Sequence, residues 1–100
     1  MKYTVVENRF GTFWYHKDKR HRKGGPAIVM TNGDTYWFRK DKLDRKEGPA
    51  VYLANNTMMY FRKDKYHNTK GPAIKYPDGT VEYYIKGKRL TKEEFEGVTA

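Results

Sequence analysis

Residues 25–42 read GPAIVMTNGDTYWFRKDK, and the pattern returns with substitutions at residues 48–65 and 71–88. Successive copies are 23 residues apart. Each copy contains a Gly-Pro-Ala element, a turn dipeptide such as Asn32-Gly33, a pair of aromatic residues and a Lys-x-Lys turn. A period of this length is typical of repeat proteins, in which every unit is one supersecondary structure.

Each unit predicts a β-hairpin. Residues 26–31 suit a strand, Asn32-Gly33 is the preferred pair for a two-residue type I′ turn, and residues 34–39 form the return strand. We therefore predict an all-β fold, a single antiparallel meander of four hairpins in one domain spanning residues 1–100. The hairpin units are expected at residues 3–16, 26–39, 49–62 and 72–85.

A two-residue loop fixes which side chains face each other, and it places Ile28 opposite Trp37. The residues of this row recur along the chain and are predicted to form the core face: Val5, Trp14, Ile28, Trp37, Val51, Tyr60, Ile74 and Tyr83. The other face carries alanines beneath aromatic rings and is predicted to be partly solvated. It holds Ala27, Ala50, Ala73, Phe38, Phe61 and Tyr84, with Lys75 and Glu82 also there.

The C-terminal segment breaks the period. Thr91 followed by Glu94 fits a capping box, which predicts a short helix beginning near Thr91. Repeat arrays need atypical ends to cover their last apolar face. We expect a C-terminal cap over residues 91–97, with Phe95 as the covering side chain.

Composition excludes several classes of protein. One hundred residues with a formal charge of +9 describe one small domain, and 16% aromatic residues argue against disorder. The chain has no cysteine and no serine, which excludes disulfides, thiolate metal sites and both kinds of nucleophile. No apolar run approaches the length of a membrane span, so a soluble, cytoplasmic protein without a cofactor is predicted.

The histidines argue against an enzyme. His21 and His67 occupy the same repeat position two copies apart, which corresponds to about 20 Å from strand spacing. General acid–base cleavage of RNA needs both groups at one phosphate. His16 is the third histidine of the chain, and no pair of histidines has a spacing typical of a metal site. We predict neither catalysis nor metal binding.

These repeats resemble the MORN family, whose units of about 23 residues form successive hairpins in one long, curled sheet. The resemblance covers residues 3–90. It rests on the turn glycines, the Lys-Asp-Lys turns and one aromatic position, namely Gly33 and Gly79, residues 17–19, 40–42 and 63–65, and Trp14, Trp37, Tyr60 and Tyr83. The Gly-Pro-Ala element departs from the family's usual Gly-x-Gly and is similar to variants in small bacterial and bacteriophage proteins, some described as antitoxins. The resemblance implies a binding scaffold for proteins or acidic lipids, rarely an enzyme.

Positive charge is concentrated in the connections between hairpins. Residues 17–23, 39–47, 62–70 and 86–92 hold 18 of the 21 basic and five of the 12 acidic residues. Their net charge of +13 exceeds that of the whole chain, +9. All four lie at one edge of the predicted sheet and would span about 30 Å, enough to follow a phosphate backbone. Solvated loops that protect the sheet edges are the alternative interpretation.

The predicted binding residues are the cations of this edge. They are Lys17, Lys19, Arg20, Arg22, Lys23, Arg39, Lys40, Lys42, Arg45, Arg62, Lys63, Lys65, Lys86, Lys88 and Arg89. Aromatic side chains stack on unpaired bases. Tyr36, Tyr52 and Tyr84 are the candidates for that role, because the aromatic row of Trp37 and Tyr60 is assigned to the core.

The sequence therefore predicts a small basic protein that binds nucleic acid. RNA is preferred over DNA because a rigid sheet offers no helix to a major groove. The alternative is an inhibitor or antitoxin-like module that binds an acidic or RNA-binding surface of a host protein or ribonucleoprotein. Both fit a bacteriophage accessory or counter-defence factor. Attachment to an anionic membrane is less favoured, and exposed sheet edges allow a homodimer.

Overall fold

The structure is a computed structural model that describes residues 1–100. It confirms an antiparallel β-meander with one short C-terminal helix. The strands are β1 (Thr4–Asn8), β2 (Gly11–His16), β3 (Lys19–Arg20), β4 (Ile28–Met30), β5 (Thr35–Tyr36), β6 (Phe38–Arg39), β7 (Lys42–Leu43), β8 (Val51–Tyr52), β9 (Met58–Met59), β10 (Phe61–Arg62), β11 (Lys65–Tyr66), β12 (Ile74–Lys75), β13 (Val81–Ile85) and β14 (Lys88–Leu90), and the helix is α1 (Lys92–Thr99).

The main sheet follows chain order, β1-β2-β4-β5-β8-β9-β12-β13-β14, with β3 paired to β2. Its first and last strands do not pair with each other, so the sheet is open. The pairs β6-β7 and β10-β11 form separate small hairpins beside it. No helix in the protein has the length and apolar character needed to cross a bilayer.

The turns at Asn32-Gly33 and its equivalents have three residues, not the two predicted. Met30 and Asp34 close the first turn through a 2.8 Å hydrogen bond, and the Gly33 N–H donates to Met30 O at 3.0 Å. Gly33 adopts φ +102°, which suits a type I turn followed by a residue in the left-handed region. The Asn32 side chain accepts the Asp34 N–H at 2.9 Å, and this cap selects the longer loop.

The extra turn residue shifts the register by one and corrects the predicted core row. Ile28 pairs with Tyr36, not with Trp37, and Tyr36 pairs in turn with Val51. The paired row is therefore Phe13, Ile28, Tyr36, Val51, Met59, Ile74 and Glu82. A one-residue slip exchanges the two faces of a strand. Trp37 and Tyr60 are consequently outside this row. Trp14 and Tyr83 are outside it too, although Trp14 pairs with Val5 as predicted, and Val5 is 46% exposed.

The face predicted to be partly solvated is also buried, alongside Val51 and Ile74 of the predicted core face, which are 4% and 3% exposed. Ala27, Ala50 and Ala73 are fully buried, and Phe38 and Phe61 are 8% exposed. In the second and third repeats the return strand leaves the main sheet after two residues, and its second half carries the phenylalanine into a separate hairpin. There Phe61 joins the buried cluster of Ala50 and Val51.

The segments predicted as long connections contain these second hairpins. Arg39 pairs with Lys42 across the two-residue turn Lys40-Asp41. Both turn residues have positive φ, +50° and +67°, as a type I′ turn requires. The turns at residues 17–18, 63–64 and 86–87 have the same form. The type I′ turns are therefore the three Lys-Asp pairs and Lys86-Gly87, and not Asn32-Gly33.

The C-terminal cap is confirmed. Thr91 is the N-cap of α1, and Thr91 and Glu94 form the capping box with hydrogen bonds of 3.1 and 2.9 Å. Phe95 is 7% exposed, and its ring centroid is 4.7 Å from that of Tyr83. The helix thus covers Tyr83, the fourth-repeat equivalent of Trp14, Trp37 and Tyr60.

Candidate functional site

The four two-residue turns stack on one edge of the molecule, which we call the lysine edge. It comprises the turns at residues 17–18, 40–41, 63–64 and 86–87 with the chain that flanks them. The Asp41 N–H donates to Arg20 O at 2.9 Å, and the Asp64 N–H donates to Leu43 O at 2.8 Å. In the fourth turn the Gly87 N–H donates to Tyr66 O at 2.8 Å in the same way. Backbone hydrogen bonds therefore set the spacing of the basic turns.

The aspartates of these turns bind the preceding repeat. Asp41 Oδ1 accepts the Arg20 N–H at 2.7 Å and its Nε at 3.0 Å. These hydrogen bonds lower the pKa of the Asp41 carboxyl. Asp64 Oδ1 accepts the Leu43 N–H at 2.6 Å. Both carboxylates are thus engaged in holding adjacent repeats together.

The predicted arginines mostly bind the protein itself. The Arg22 guanidinium lies 3.9 Å from the Trp14 ring centroid and donates to Pro26 O at 3.2 Å. Arg45 lies 3.8 Å from the Trp37 ring centroid in the same way. Such cation–π contacts hold a guanidinium against its ring. Arg22 and Arg45 therefore cover the tryptophans as part of the fold.

Three further arginines of the predicted set have internal partners. Arg20 lies 4.2 Å from the Phe38 ring centroid, and Arg62 Nε donates to Asp44 Oδ1 at 2.7 Å. Arg89 Nε lies 3.7 Å from a carboxylate oxygen of Glu82. By contrast, Lys92 is the only lysine in a salt bridge, at 4.0 Å. The positive charge of the lysine edge that has no partner within the protein belongs to its lysines and to Arg39.

An open groove of about 940 Å³ lies on the lysine edge between the second and fourth repeats. Eight cationic side chains and one carboxylate, that of Glu47, line it. The cations are Arg45, Lys46, Arg62, Lys63, Lys65, Lys70, Lys75 and Lys86. The sequence analysis missed Lys46, Lys70 and Lys75. The segment charges included Lys46 and Lys70, but only the fold shows that Lys75 faces the same space.

A smaller cavity of about 380 Å³ lies at the N-terminal end of the same edge. Five predicted cations line it, namely Lys17, Lys19, Lys23, Arg39 and Lys40. No carboxylate does. His16 and His21 also border this cavity, with ring centroids 5.8 Å apart. Lys42 and Lys88 line neither this cavity nor the groove.

The histidines serve as backbone caps. His21 Nδ1 accepts the Lys40 N–H at 3.0 Å, and His67 Nδ1 accepts the Lys86 N–H at 2.9 Å. This role requires an unprotonated Nδ1. Desolvation is the main cause that lowers the pKa of both imidazoles, and nearby cations lower it further. No group of three or more histidine, aspartate or glutamate side chains is placed to hold a metal ion.

The three tyrosines predicted to stack on bases lie in different surroundings. Tyr36 packs against the buried cluster, and burial raises its pKa. Tyr84 lies with its ring centroid 4.9 Å from that of Tyr66 and donates its hydroxyl to Glu82. Tyr52 is 40% exposed. None of the three lines the groove or the smaller cavity.

Tyr60 is the aromatic residue that lines the groove. The sequence analysis assigned it to the core with Trp14 and Trp37, but the structure leaves it half-buried and outside the paired row. One feature of the sequence does distinguish Tyr60 from Trp14 and Trp37, because the arginine that follows each tryptophan by eight residues is missing after Tyr60. Arg22 and Arg45 recur 23 residues apart, and the next position of that series is Asn68.

Comparison with known proteins gives no relative. The chain matches no protein-family model, and no curated protein or solved structure matches it significantly. The likeness to MORN repeats therefore rests on the sequence pattern alone, and the function has to be argued from the geometry of the lysine edge.

Proposed function

We propose that the protein binds RNA through the groove of the lysine edge. The observation that carries this proposal is the lining of the groove, with eight cationic side chains against one carboxylate. Six of the eight are lysines that form no salt bridge. A groove lined by one sign of charge attracts the opposite charge and raises the rate of encounter. A phosphate backbone supplies that charge at regular spacing.

The way the turns are held supports a polyanion as the ligand. Hydrogen bonds between successive turns fix the lysines of neighbouring repeats in a row along one edge. Phosphate groups are bound without sequence preference by such cations, and the released counterions make binding sensitive to salt. The absence of a helix beside the groove favours contacts to a backbone over readout of a DNA major groove.

The test is fluorescence anisotropy with a labelled single-stranded RNA at several salt concentrations. Lys63→Glu/Lys65→Glu removes two groove lysines, and Lys2→Glu/Lys92→Glu makes the same charge change at two lysines that line neither the groove nor the smaller cavity. We expect the groove variant to lose about tenfold or more in affinity and its salt slope to fall by about 1.4, since each single-strand phosphate contact contributes about 0.7. The control should lose less than about threefold.

Two results would contradict the proposal. Equal losses in both variants would attribute binding to net charge alone and remove the groove assignment. No binding at low salt would overturn RNA as the ligand. If the purified protein instead retains one acidic protein that Lys63→Glu/Lys65→Glu releases, the inhibitor interpretation replaces the RNA-binding one.

A further inference from the structure

One aromatic position recurs in all four repeats, and in three of them another side chain covers the ring. The guanidinium of Arg22 lies 3.9 Å from the Trp14 ring centroid, and that of Arg45 lies 3.8 Å from the Trp37 centroid. In the fourth repeat, the Phe95 ring of the C-terminal helix lies 4.7 Å from Tyr83. Covering this ring is therefore the ordinary state of the repeat.

Tyr60 is the exception. The residue in the covering position is Asn68, which keeps one arginine contact by donating from Nδ2 to Pro72 O at 3.0 Å. It is too short to extend over the ring. No ring or guanidinium stacks on Tyr60, and the cation over the ring is Lys75 Nζ, at the long distance of 6.0 Å from the centroid.

The neighbouring glycines show that the covering space is empty in this repeat. A Cβ added at Gly48 would lie 2.8 Å from the guanidinium carbon of Arg45, so the folded-back arginine closely fills the space beside this glycine. At Gly71 the nearest atom to an added Cβ would be 3.9 Å away, on Asn68. The volume that an arginine fills in earlier repeats opens here onto the groove.

We infer that Tyr60 is a stacking platform for an unpaired nucleobase of the bound RNA. The inference rests on the proposed function and names which part of the ligand enters the groove. Base stacking on an aromatic ring is sequence-tolerant and belongs beside cations that track the backbone. Lys63, Lys65 and Lys75 border the same groove as the ring. The positive charge of these lysines would repel an arginine of a protein partner that stacked on the ring. It would attract the phosphate attached to a nucleotide whose base stacks there.

Three variants test the platform with single-stranded rA6. Tyr60→Leu keeps an apolar side chain but removes the ring, and should reduce affinity about 5- to 100-fold. Tyr60→Phe keeps the ring and should bind within about twofold of the unsubstituted protein. Asn68→Arg should reduce affinity as Tyr60→Leu does, because the guanidinium would cover the ring. This loss would occur despite the added positive charge, which net electrostatics cannot explain.

Salt dependence separates stacking from phosphate contact. The salt slope should be unchanged in Tyr60→Leu, whereas Lys63→Glu/Lys65→Glu lowers it. Thermal midpoints serve as the folding control, and Asn68→Arg should match or exceed the unsubstituted protein. If rA6 binds and loses affinity only in the lysine variant, the platform is wrong and RNA binding stands.

A second probe decides the case in which rA6 does not bind. Adenosine monophosphate should shift the ring proton signals of Tyr60 upfield by stacking, and not in Asn68→Arg. A shift without RNA binding would support the platform and overturn the proposed function. If the protein neither binds rA6 nor shows this shift with adenosine monophosphate, the platform and the proposed function are both overturned.

Discussion

The two edges of the sheet use their turns differently. On the edge opposite the lysine edge, which we call the asparagine edge, the turns at residues 31–33, 54–56 and 77–79 are closed from within. Asn32 accepts the N–H of Asp34, and Asp78 accepts that of Thr80. On the lysine edge, Asp64 instead accepts an N–H of the preceding repeat, from Leu43. Turns on both edges contact neighbouring repeats, since Asp34 also accepts the Ala54 N–H of the next repeat at 2.7 Å, but only the asparagine edge has turns whose side chains cap their own backbone.

This difference explains how the lysine edge keeps its charge. Of the five acidic residues in the basic segments, Asp41 and Asp64 bind backbone N–H groups and Asp44 binds Arg62. These carboxylates are held by the fold and pair with no lysine. The lysines are left without counterions of their own.

The largest expected effect is the loss of a buried ring beneath the lysine edge. Phe61 is 8% exposed and joins the buried cluster, whereas Phe10, beside the asparagine edge, is 55% exposed. Phe61→Ala should lower the free energy of unfolding by about 3–5 kcal/mol, and Phe10→Ala by about 0.5 kcal/mol or less. Urea denaturation measures both. Similar midpoints for the two variants would contradict the placement of the core.

A smaller effect is expected from the contact between repeats. Asp64→Ala removes the acceptor for the Leu43 N–H, while Asp18→Ala alters a first-repeat turn whose carboxylate accepts no hydrogen bond. The two residues have similar positive φ, +66° and +63°, so replacing either aspartate by alanine strains the backbone to a similar extent. The difference in unfolding free energy should be about 1–2 kcal/mol. A difference near zero would show that the turns stack without the carboxylate.

The self-capping turn should show a local effect only. Asp78→Ala removes a 2.8 Å hydrogen bond to the Thr80 N–H at an exposed site, at a cost of about 0.5 kcal/mol. Amide exchange should quicken at Thr80 and leave the other repeats protected. In Asp64→Ala, exchange should quicken on both sides of the repeat junction. Spread of the Asp78→Ala effect to other repeats would remove the contrast between the edges.

The smallest expected effect is a pH dependence confined to the lysine edge. Burial lowers the pKa of His21 and His67 below the ordinary 6.5. Between 6.5 and the lowered pKa the unfolded chain binds more protons, so unfolding free energy falls as pH decreases through that window. His67→Asn keeps an acceptor for the Lys86 N–H and should reduce the slope of stability against pH below 6.5. An unchanged slope would contradict the assigned role of His67.

The sequence predicted the fold class, and its errors had a local cause. The 23-residue period and the capping box at Thr91 sufficed for the meander and the helix. The predicted register was wrong because the turn at Asn32-Gly33 has three residues instead of two, with the Asn32 side chain capping the Asp34 N–H. That single residue moved Trp37 out of the core row and placed Tyr36 in it. Side-chain capping of this kind is not visible in the turn dipeptide alone.

The sequence by itself determined the repeat, its edges and the position of the charge, because these follow from spacing and from the alternation of strands and turns. Only the tertiary structure decided which cationic side chains have no partner within the protein. Arg22 and Arg45 lie on rings eight residues earlier in the chain, and Lys75 reaches the groove from a strand outside the basic segments. A side chain's partners depend on packing between repeats, and a one-dimensional count of charges does not contain that packing.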